Sequence, residues 1–398
     1  MPGRRALGVA QAIRLASGTA RPLQLVEEAP IGRAGYHASG KPTLNFEPLG
    51  LAGRCAGHRT SRWVTFRIPC SNDDMTIAVV IPFFQETEGL LARAIRSVVA
   101  QQETGDLRIV VVDDSSPVAA AAEIAALGIE ADRVRIDIVR QANAGPAAAR
   151  NRGLDSVRGC ARVAFLDSDD VWSDRHLANA TRALDAGHDF YFADLLQPGQ
   201  TISGFERAGR LANGAHRPIA DSETLFAYGG DMFDQIVCGN VIGTSTVVYA
   251  FDRFPEQRFD EAFYSAGEDY LFWIALARGG ARFCFSSEVE ASYGYGVNVY
   301  AGSGWGTPGY LRRIHNEMRY RVRLLDFDLS DRQRRFVREK IEVLRVEFAS
   351  DILHRLTHRR SIPRDIVQAQ FRLDPFTLLS LPLHLGTMVA DRIKGRRA

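Results

Sequence analysis

The sequence predicts an α/β fold, a mostly parallel mixed sheet with helices on both faces, followed by a helical C-terminal tail. Three observations predict it. Short apolar runs alternate with helix-period segments from Thr76 to Ala193, polar residues cluster directly after the runs, and Gly or Pro marks the junctions. The order begins with Thr76–Ile81, a β-branched run ending at Pro82. Residues 89–102 follow with helical spacing, Leu90, Leu91, Ala94, Ile95, Val98 and Val99 sharing one face. Arg108–Val112 is a second buried run, and Pro117–Leu127 an Ala-rich helix stopped by Gly128. Val134–Val139 is a third strand; Ala144–Val157 is a helix opened by Gly145-Pro146. Arg162–Leu166, a helix over Asp174–Ala186 and a strand over Asp189–Ala193 complete the regular part. Beyond Asp194 we expect a strand at Thr244–Tyr249, a helix at Gly267–Arg278, a strand at Ala281–Phe285 and a Gly/Tyr/Trp loop at Tyr293–Gly309. Tyr310–Arg360 reads as helical, with one break near Asp328–Asp331.

The bulk figures suit a soluble globular chain of 398 residues, with 46% hydrophobic and 24% charged residues. A net charge of +2 gives no global field for nucleic acid. Five scattered cysteines without a CxxC pair argue against a disulfide framework or zinc site and fit a reducing, cytosolic compartment. No apolar run reaches the roughly 18 residues that a membrane span needs, and Gly8–Ile13 is too short for a signal peptide. Residues 1–74 carry ten Lys/Arg against five Asp/Glu in no clear period. They read as a disordered basic extension, with Met75 as the natural start of the protein or, alternatively, a genuine arm. Residues 75–300 form one α/β domain in this reading, and 301–398 a loop with a basic helical region.

Four segments can carry chemistry. Phe165-Leu-Asp-Ser-Asp-Asp-Val-Trp172 places three carboxylates within four residues just past a buried strand. Like charges so close repel unless a cation intervenes, and oxygen ligands suit Mg2+ or Mn2+ shared with a diphosphate. An acidic turn with capping aspartates is the competing reading. Val111-Val-Asp-Asp-Ser-Ser116 ends another strand, so Asp113 and Asp114 can accept from a pyrimidine N–H or ribose hydroxyls, or simply build a turn. In Asn143-Ala-Gly-Pro-Ala-Ala-Ala-Arg-Asn-Arg-Gly153, Gly145 and the helix-start amides favour a phosphate. Arg150 or Arg152 can reach a phosphate or the acidic turn; a capped surface helix is the alternative. Ala266-Gly-Glu-Asp-Tyr-Leu-Phe-Trp273 sets Glu268 and Asp269 at a helix start, where a carboxylate facing a cleft can act as general base or merely complement the helix dipole.

Taken together with the opening Val-Val-Ile-Pro-Phe-Phe, these segments resemble the family 2 glycosyltransferases with the GT-A fold, over roughly Met75 to Tyr300. The resemblance implies that Pro82, Phe84 and Glu86 line a nucleoside pocket and that Asp114, with Asp113 beside it, binds the base. It implies a donor site at Asp167, Ser168 and Asp169, with Asp169 on an Mn2+ or Mg2+ ion and Asp167 on that ion, the ribose or the sugar. Asp269 becomes the base of a single inverting displacement. Gly239-Asn-Val-Ile-Gly-Thr-Ser-Thr-Val-Val248 is similar to succinoglycan-type exopolysaccharide glucosyltransferases. That implies a UDP-glucose donor and a lipid-diphosphate-linked oligosaccharide acceptor; transfer to lipopolysaccharide or capsule is the alternative, as is a non-enzymatic membrane-surface module. There is no Gln-x-x-Arg-Trp after Glu268-Asp269, as a processive polymerase would have, and Asp174 replaces the usual Pro. A dinucleotide-binding oxidoreductase would need GxGxxG after the first strand, which carries Pro-Phe-Phe-Gln-Glu instead.

Glu268, Tyr295 and Trp305 are candidate acceptor contacts, since aromatic rings stack on sugars and the glycines around Tyr295 and Trp305 allow closure. Tyr310–Arg360 holds fourteen Lys/Arg and eight Asp/Glu. It reads either as a basic amphipathic helix on the inner membrane surface or as a helix pair packed on the catalytic domain. The expected location is cytoplasmic and peripheral on that surface.

Overall fold

Burial of β-branched runs on both faces builds the sheet. The computed structural model describes residues 25–26, 77–129, 133–211, 213–219, 222–263, 266–297 and 303–379. Met75, most of the N-terminal extension, Tyr300 and the basic residues Arg392, Lys394, Arg396 and Arg397 lie outside them. Strands β1 (Leu25–Val26), β2 (Ile77–Phe83), β3 (Leu107–Asp113), β4 (Val134–Arg140) and β5 (Arg162–Phe165) run parallel in the order β1-β4-β3-β2-β5. Thus two residues of the extension add a strand at Ile138 and Val139. The sheet continues through β10 (Val248–Ala250), antiparallel to both neighbours, to β7 (Phe190–Leu196) and β11 (Phe283–Ser292), which are parallel to each other. Short strands β6 (Val171–Trp172), β8 (Arg217–Pro218) and β9 (Leu225–Ala227) finish that edge.

Helices α1 (Leu90–Val99), α2 (Ala120–Ala125) and α4 (His176–Asp185) cover one face. The other is covered by α3 (Pro146–Ser156), the short α5 (Gly204–Ala208), α6 (Met232–Gly239) and α7 (Glu268–Arg278). Helix α3 lies so close to β2 that a Cβ on Gly153 would sit 2.3 Å from Val80 Cγ1. On this face Phe165, Tyr249, Phe259, Phe272 and Trp273 pack ring on ring beneath the acidic turn.

Three expectations change. Thr244–Tyr249 is a 3-10 turn at Thr244–Thr246 leading into β10, because hydroxyls compete with ladder bonding: Thr246 Oγ1 donates to the Gly243 carbonyl at 2.8 Å. Strand β11 runs well past Phe285, through register shifts between Ser286 and Ala291 that break its apolar alternation. The basic tail is a packed bundle, α8 (Tyr310–Leu324), α9 (Asp331–Thr357), α10 (Arg364–Leu373) and α11 (Pro375–Leu379). The apolar stripe of α8, with Leu311, Ile314, Met318 and Leu324, is in the core. Its arginines bond inward or to neighbours: Arg319 to the Ala262 carbonyl, Arg312 to Asp365 and Arg323 to Asp326. The α8 stripe expected to meet lipid is therefore spent on packing. Among the described residues no helix is long and apolar enough to cross a membrane.

Candidate active site

The carboxyl ends of β2, β3 and β5 carry the polar clusters, as the strand-end rule for such sheets requires. Beyond β5 the chain turns sharply, and Ser245 holds the turn from outside. Its hydroxyl donates to Asp170 Oδ2 at 2.5 Å and accepts from the Asp167 N–H at 3.0 Å; its carbonyl accepts from the Trp172 indole at 2.5 Å. Asp170 is thereby buried as a structural anchor, also accepting from Gly294 N–H at 2.8 Å. Asp167 and Asp169 are less covered. Burial, then the neighbouring Asp167, raises the Asp169 carboxyl; burial and both neighbours push Asp170 well above the ordinary range.

The second cluster is set by Gly267, whose φ of +87° turns the chain into α7. Asp269 accepts from Thr244 Oγ1 at 3.1 Å and from the Tyr270 N–H at 2.8 Å, and burial raises its carboxyl. Glu268 is buried and held at about 7, first by burial and then by Asp269. Between the clusters lies Arg150, donating to Asp167 at 2.8 Å and to Glu268 at 3.3 Å. Burial alone would lower its guanidinium, but the two acids outweigh that and hold it above its ordinary value. Of the two roles open to Arg150, contact with the acidic turn is the one observed. Glu268 likewise faces Arg150 and is too buried for the acceptor contact expected of it.

At the nucleoside side, Pro82 and Phe84 are half-buried and Glu86 is exposed. Asp113 accepts from the Ser116 N–H at 2.9 Å, and burial raises its carboxyl. Asp114 is held by its neighbours. Its carboxylate takes the N–H groups of Ala144 and Gly145 and the Gln141 amide, each at 2.8 Å. The helix-start amides expected to hold phosphate at Gly145 already hold this internal anion, so neither residue needs a ligand to be satisfied.

Residues 294–297 form a strap across the acidic turn. Gly294 N–H donates to Asp170, Gly296 N–H to Asp169 Oδ2 at 2.8 Å, and Val297 N–H to Gln85 Oε1 at 2.9 Å. A Cβ on Gly294 would lie 1.9 Å from the Asp169 carbonyl oxygen, so the glycine is what permits this approach. Tyr295 projects from the strap, 80% exposed. Trp305 instead packs on His354 of α9, ring centroids 4.4 Å apart, and so belongs to the helical bundle rather than to the turn. Gln85, which also donates to Ser168 Oγ at 3.0 Å, Thr244 and Ser245 were not singled out as site residues from sequence. Two hydroxyls in a row where a strand should be apolar were the available signal.

Among the described residues no three His, Cys, Asp or Glu side chains converge into a ready metal cage. Asp167 and Asp169 are each engaged through one named oxygen, which leaves acceptor capacity on both. Such a pair fits Mg2+ or Mn2+ in the mode where one or two carboxylates share the ion with phosphates and water.

A family model described as Glycosyl transferase family 2 matches residues 78–247. The chain is 32% identical over 244 residues to the succinoglycan biosynthesis protein ExoW of Rhizobium meliloti (strain 1021), covering 60% of this chain and 75% of that protein. The chain belongs to glycosyl transferase family 2. As a member it is a glycosyltransferase with the GT-A arrangement of sheet and helices. It is also 26% identical over 203 residues to the GalNAc(5)-diNAcBac-PP-undecaprenol beta-1,3-glucosyltransferase of Campylobacter jejuni subsp. jejuni serotype O:2, covering 50% of this chain and 59% of that one. Mannosyltransferase PcManGT from Pyrobaculum calidifontis, solved with GDP-Man and Mn2+, shares 13% identity and a TM-score of 0.48 over 80% of this chain and 86% of that one. The family match ends before Asp269.

Proposed function

We propose that this family 2 enzyme moves a sugar, glucose in the first instance, from a UDP-sugar to a lipid-diphosphate-linked oligosaccharide during exopolysaccharide assembly, inverting the anomeric carbon. The observation that carries the reading is Arg150, which ties the donor-side Asp167 to the start of α7, where Asp269 sits. A donor at the acidic turn and a base at α7 are thereby held in one site. Relatives named for succinoglycan biosynthesis and for a glucosyltransferase acting on a PP-undecaprenol-linked saccharide support the acceptor class.

In this reading Pro82, Phe84, Glu86 and Asp113 border the nucleoside. Asp169 and Asp167 would hold Mn2+ or Mg2+, which supplies charge neutralisation for the departing diphosphate. Asp269 takes the proton of the acceptor hydroxyl as that oxygen bonds to the anomeric carbon, while the bond from that carbon to the β-phosphate oxygen breaks and UDP leaves with the electron pair. Its raised carboxyl makes it a stronger base than an ordinary aspartate. Glu268 is the poorer candidate because Arg150 holds it. Tyr295, exposed on the strap, would meet the acceptor. Work on the cytoplasmic face of the membrane follows from the lipid anchor of such an acceptor.

Screening UDP-, GDP- and dTDP-sugars for turnover tests the donor. Asp269→Asn should abolish transfer with UDP affinity nearly intact, and Asp169→Ala should weaken UDP and Mn2+ binding together. Normal turnover by Asp269→Asn would exclude Asp269 as the base.

A further inference from the structure

We propose that Thr244 and Ser245 are positioning residues that set the general base and the donor-binding turn in one fixed register. The proposal rests on the functional reading above and adds residues that the reading does not need. Both side chains are buried, Thr244 at 7% and Ser245 at 0% exposure. Consecutive in the chain, they serve opposite halves of the site. Thr244 Oγ1 donates to Asp269 Oδ2 at 3.1 Å, on the acceptor side. Ser245 clasps the acidic turn at three points, through Asp170 Oδ2, the Asp167 N–H and the Trp172 indole, on the donor side.

The segment carrying them has little room to move. Its turn is closed by Thr246 N–H and Oγ1, which both donate to the Gly243 carbonyl, at 2.9 and 2.8 Å. Gly243 is wedged: a Cβ there would lie 2.2 Å from Leu195 Cδ2 and 2.5 Å from Tyr293 Oη. Beyond it β10 is paired on both sides, to β5 and β7. The distance between the acidic turn and Asp269 is thus fixed by one short rigid peptide as well as by Arg150. Inverting displacement needs the acceptor oxygen, the anomeric carbon and the leaving oxygen in line, and transfer rates fall steeply when reacting groups are misplaced by about 1 Å. A buried Thr-Ser pair at the head of a strand, where two apolar residues would pack more simply, fits that geometric demand.

Steady-state turnover of the best-accepted nucleotide-sugar, with UDP and Mn2+ binding measured separately, tests the proposal. Thr244→Val should lower kcat by about tenfold to a hundredfold with the donor KM unchanged. Thr244→Ser should restore kcat to within a few-fold, since it keeps the hydroxyl. Ser245→Ala should act on the other half, weakening UDP and Mn2+ binding. Thr244→Ala serves in place of Thr244→Val if the latter fails to fold. The proposal is overturned if Thr244→Val and Thr244→Ala keep wild-type kcat while Asp269→Asn is inactive; the base assignment then stands alone. An active Asp269→Asn overturns both together.

Discussion

Glu268 gives the sharpest thermodynamic test, and Glu268→Gln is the perturbation. Its carboxyl is held at about 7 against an ordinary 4.5, and the side chain is buried. Between those two pH values the folded chain keeps a proton that the unfolded chain has released. Stability linked to that proton is fully present below about pH 4.5 and is lost as pH rises to about 7. A difference of roughly 2.5 pH units at about 1.36 kcal/mol each gives ~3 kcal/mol. Glutamine is neutral at every pH and leaves Arg150 its bond to Asp167. The variant should therefore match the wild type near pH 5 and exceed its stability by up to ~3 kcal/mol at pH 7.5, about 5 °C in Tm for a domain of this size. Asp169 and Asp170 are also raised and act on both proteins alike, whereas Asp269 titrates together with Glu268, so the difference reads that acidic pair. Thermal melts of both proteins at the two pH values read it out. An offset between wild type and variant that is the same at pH 5 and pH 7.5 would refute the argument.

Three further outcomes are expected. Gly294→Ala cannot seat the strap on the Asp169 carbonyl, so chymotrypsin should cut after Tyr295 faster than in the wild type, with UDP affinity not reduced; an unchanged cleavage rate contradicts the strap geometry. Asp114→Ala removes two hydrogen bonds at the start of α3 and one from the Gln141 amide, and should cost about 2–4 kcal/mol in denaturant unfolding; a loss of UDP affinity with stability unchanged would instead make Asp114 a base-binding residue. UDP with Mn2+ should raise Tm more at pH 8 than at pH 5, because metal ligation needs deprotonated carboxylates, and equal shifts would count against ligation at the acidic turn.

What the sequence reveals follows from where its signal is physical. The parallel strands were legible because burial on both faces demands continuous apolar runs, and Val79–Ile81 or Ile109–Val112 can be nothing else. The acidic turn and the Glu268-Asp269 pair were legible because carboxylates are expensive at the edge of a core and so mark themselves. Partnership was not legible. Asp113 and Asp114 look alike in sequence, yet only Asp114 closes on the α3 amides, a choice made by the turn at Gly145. Arg150 and Arg152 were equivalent candidates until helix α3 put one beneath the acidic turn. Thr244-Ser245 reads as strand by propensity, and only tertiary structure assigns its hydroxyls to carboxylates. The basic tail misleads for a related reason: a charged helix that packs its apolar stripe inward has the same periodicity as one that floats on lipid.

The partners of the acidic turn differ in how readily they can yield. Asp167 is tied to a buried guanidinium that also holds Glu268, so removing that bond would leave a buried cation half-paired. Asp169 is tied at Oδ2 to one backbone N–H of a strap whose Tyr295 and Val297 are exposed. A hydrogen bond from one backbone N–H to a carboxylate contributes about 1.5–3 kcal/mol net, and water can replace it. Burial and then repulsion from Asp167 already raise Asp169, so a cation with its diphosphate would have more to offer that oxygen than the strap amide has. The same donor arrival would leave Arg150 in place and, with it, the register between Asp167 and α7. If the donor binds as proposed, this ordering of strengths predicts that the strap gives way while the Arg150 bridge and the Ser245 clasp stay.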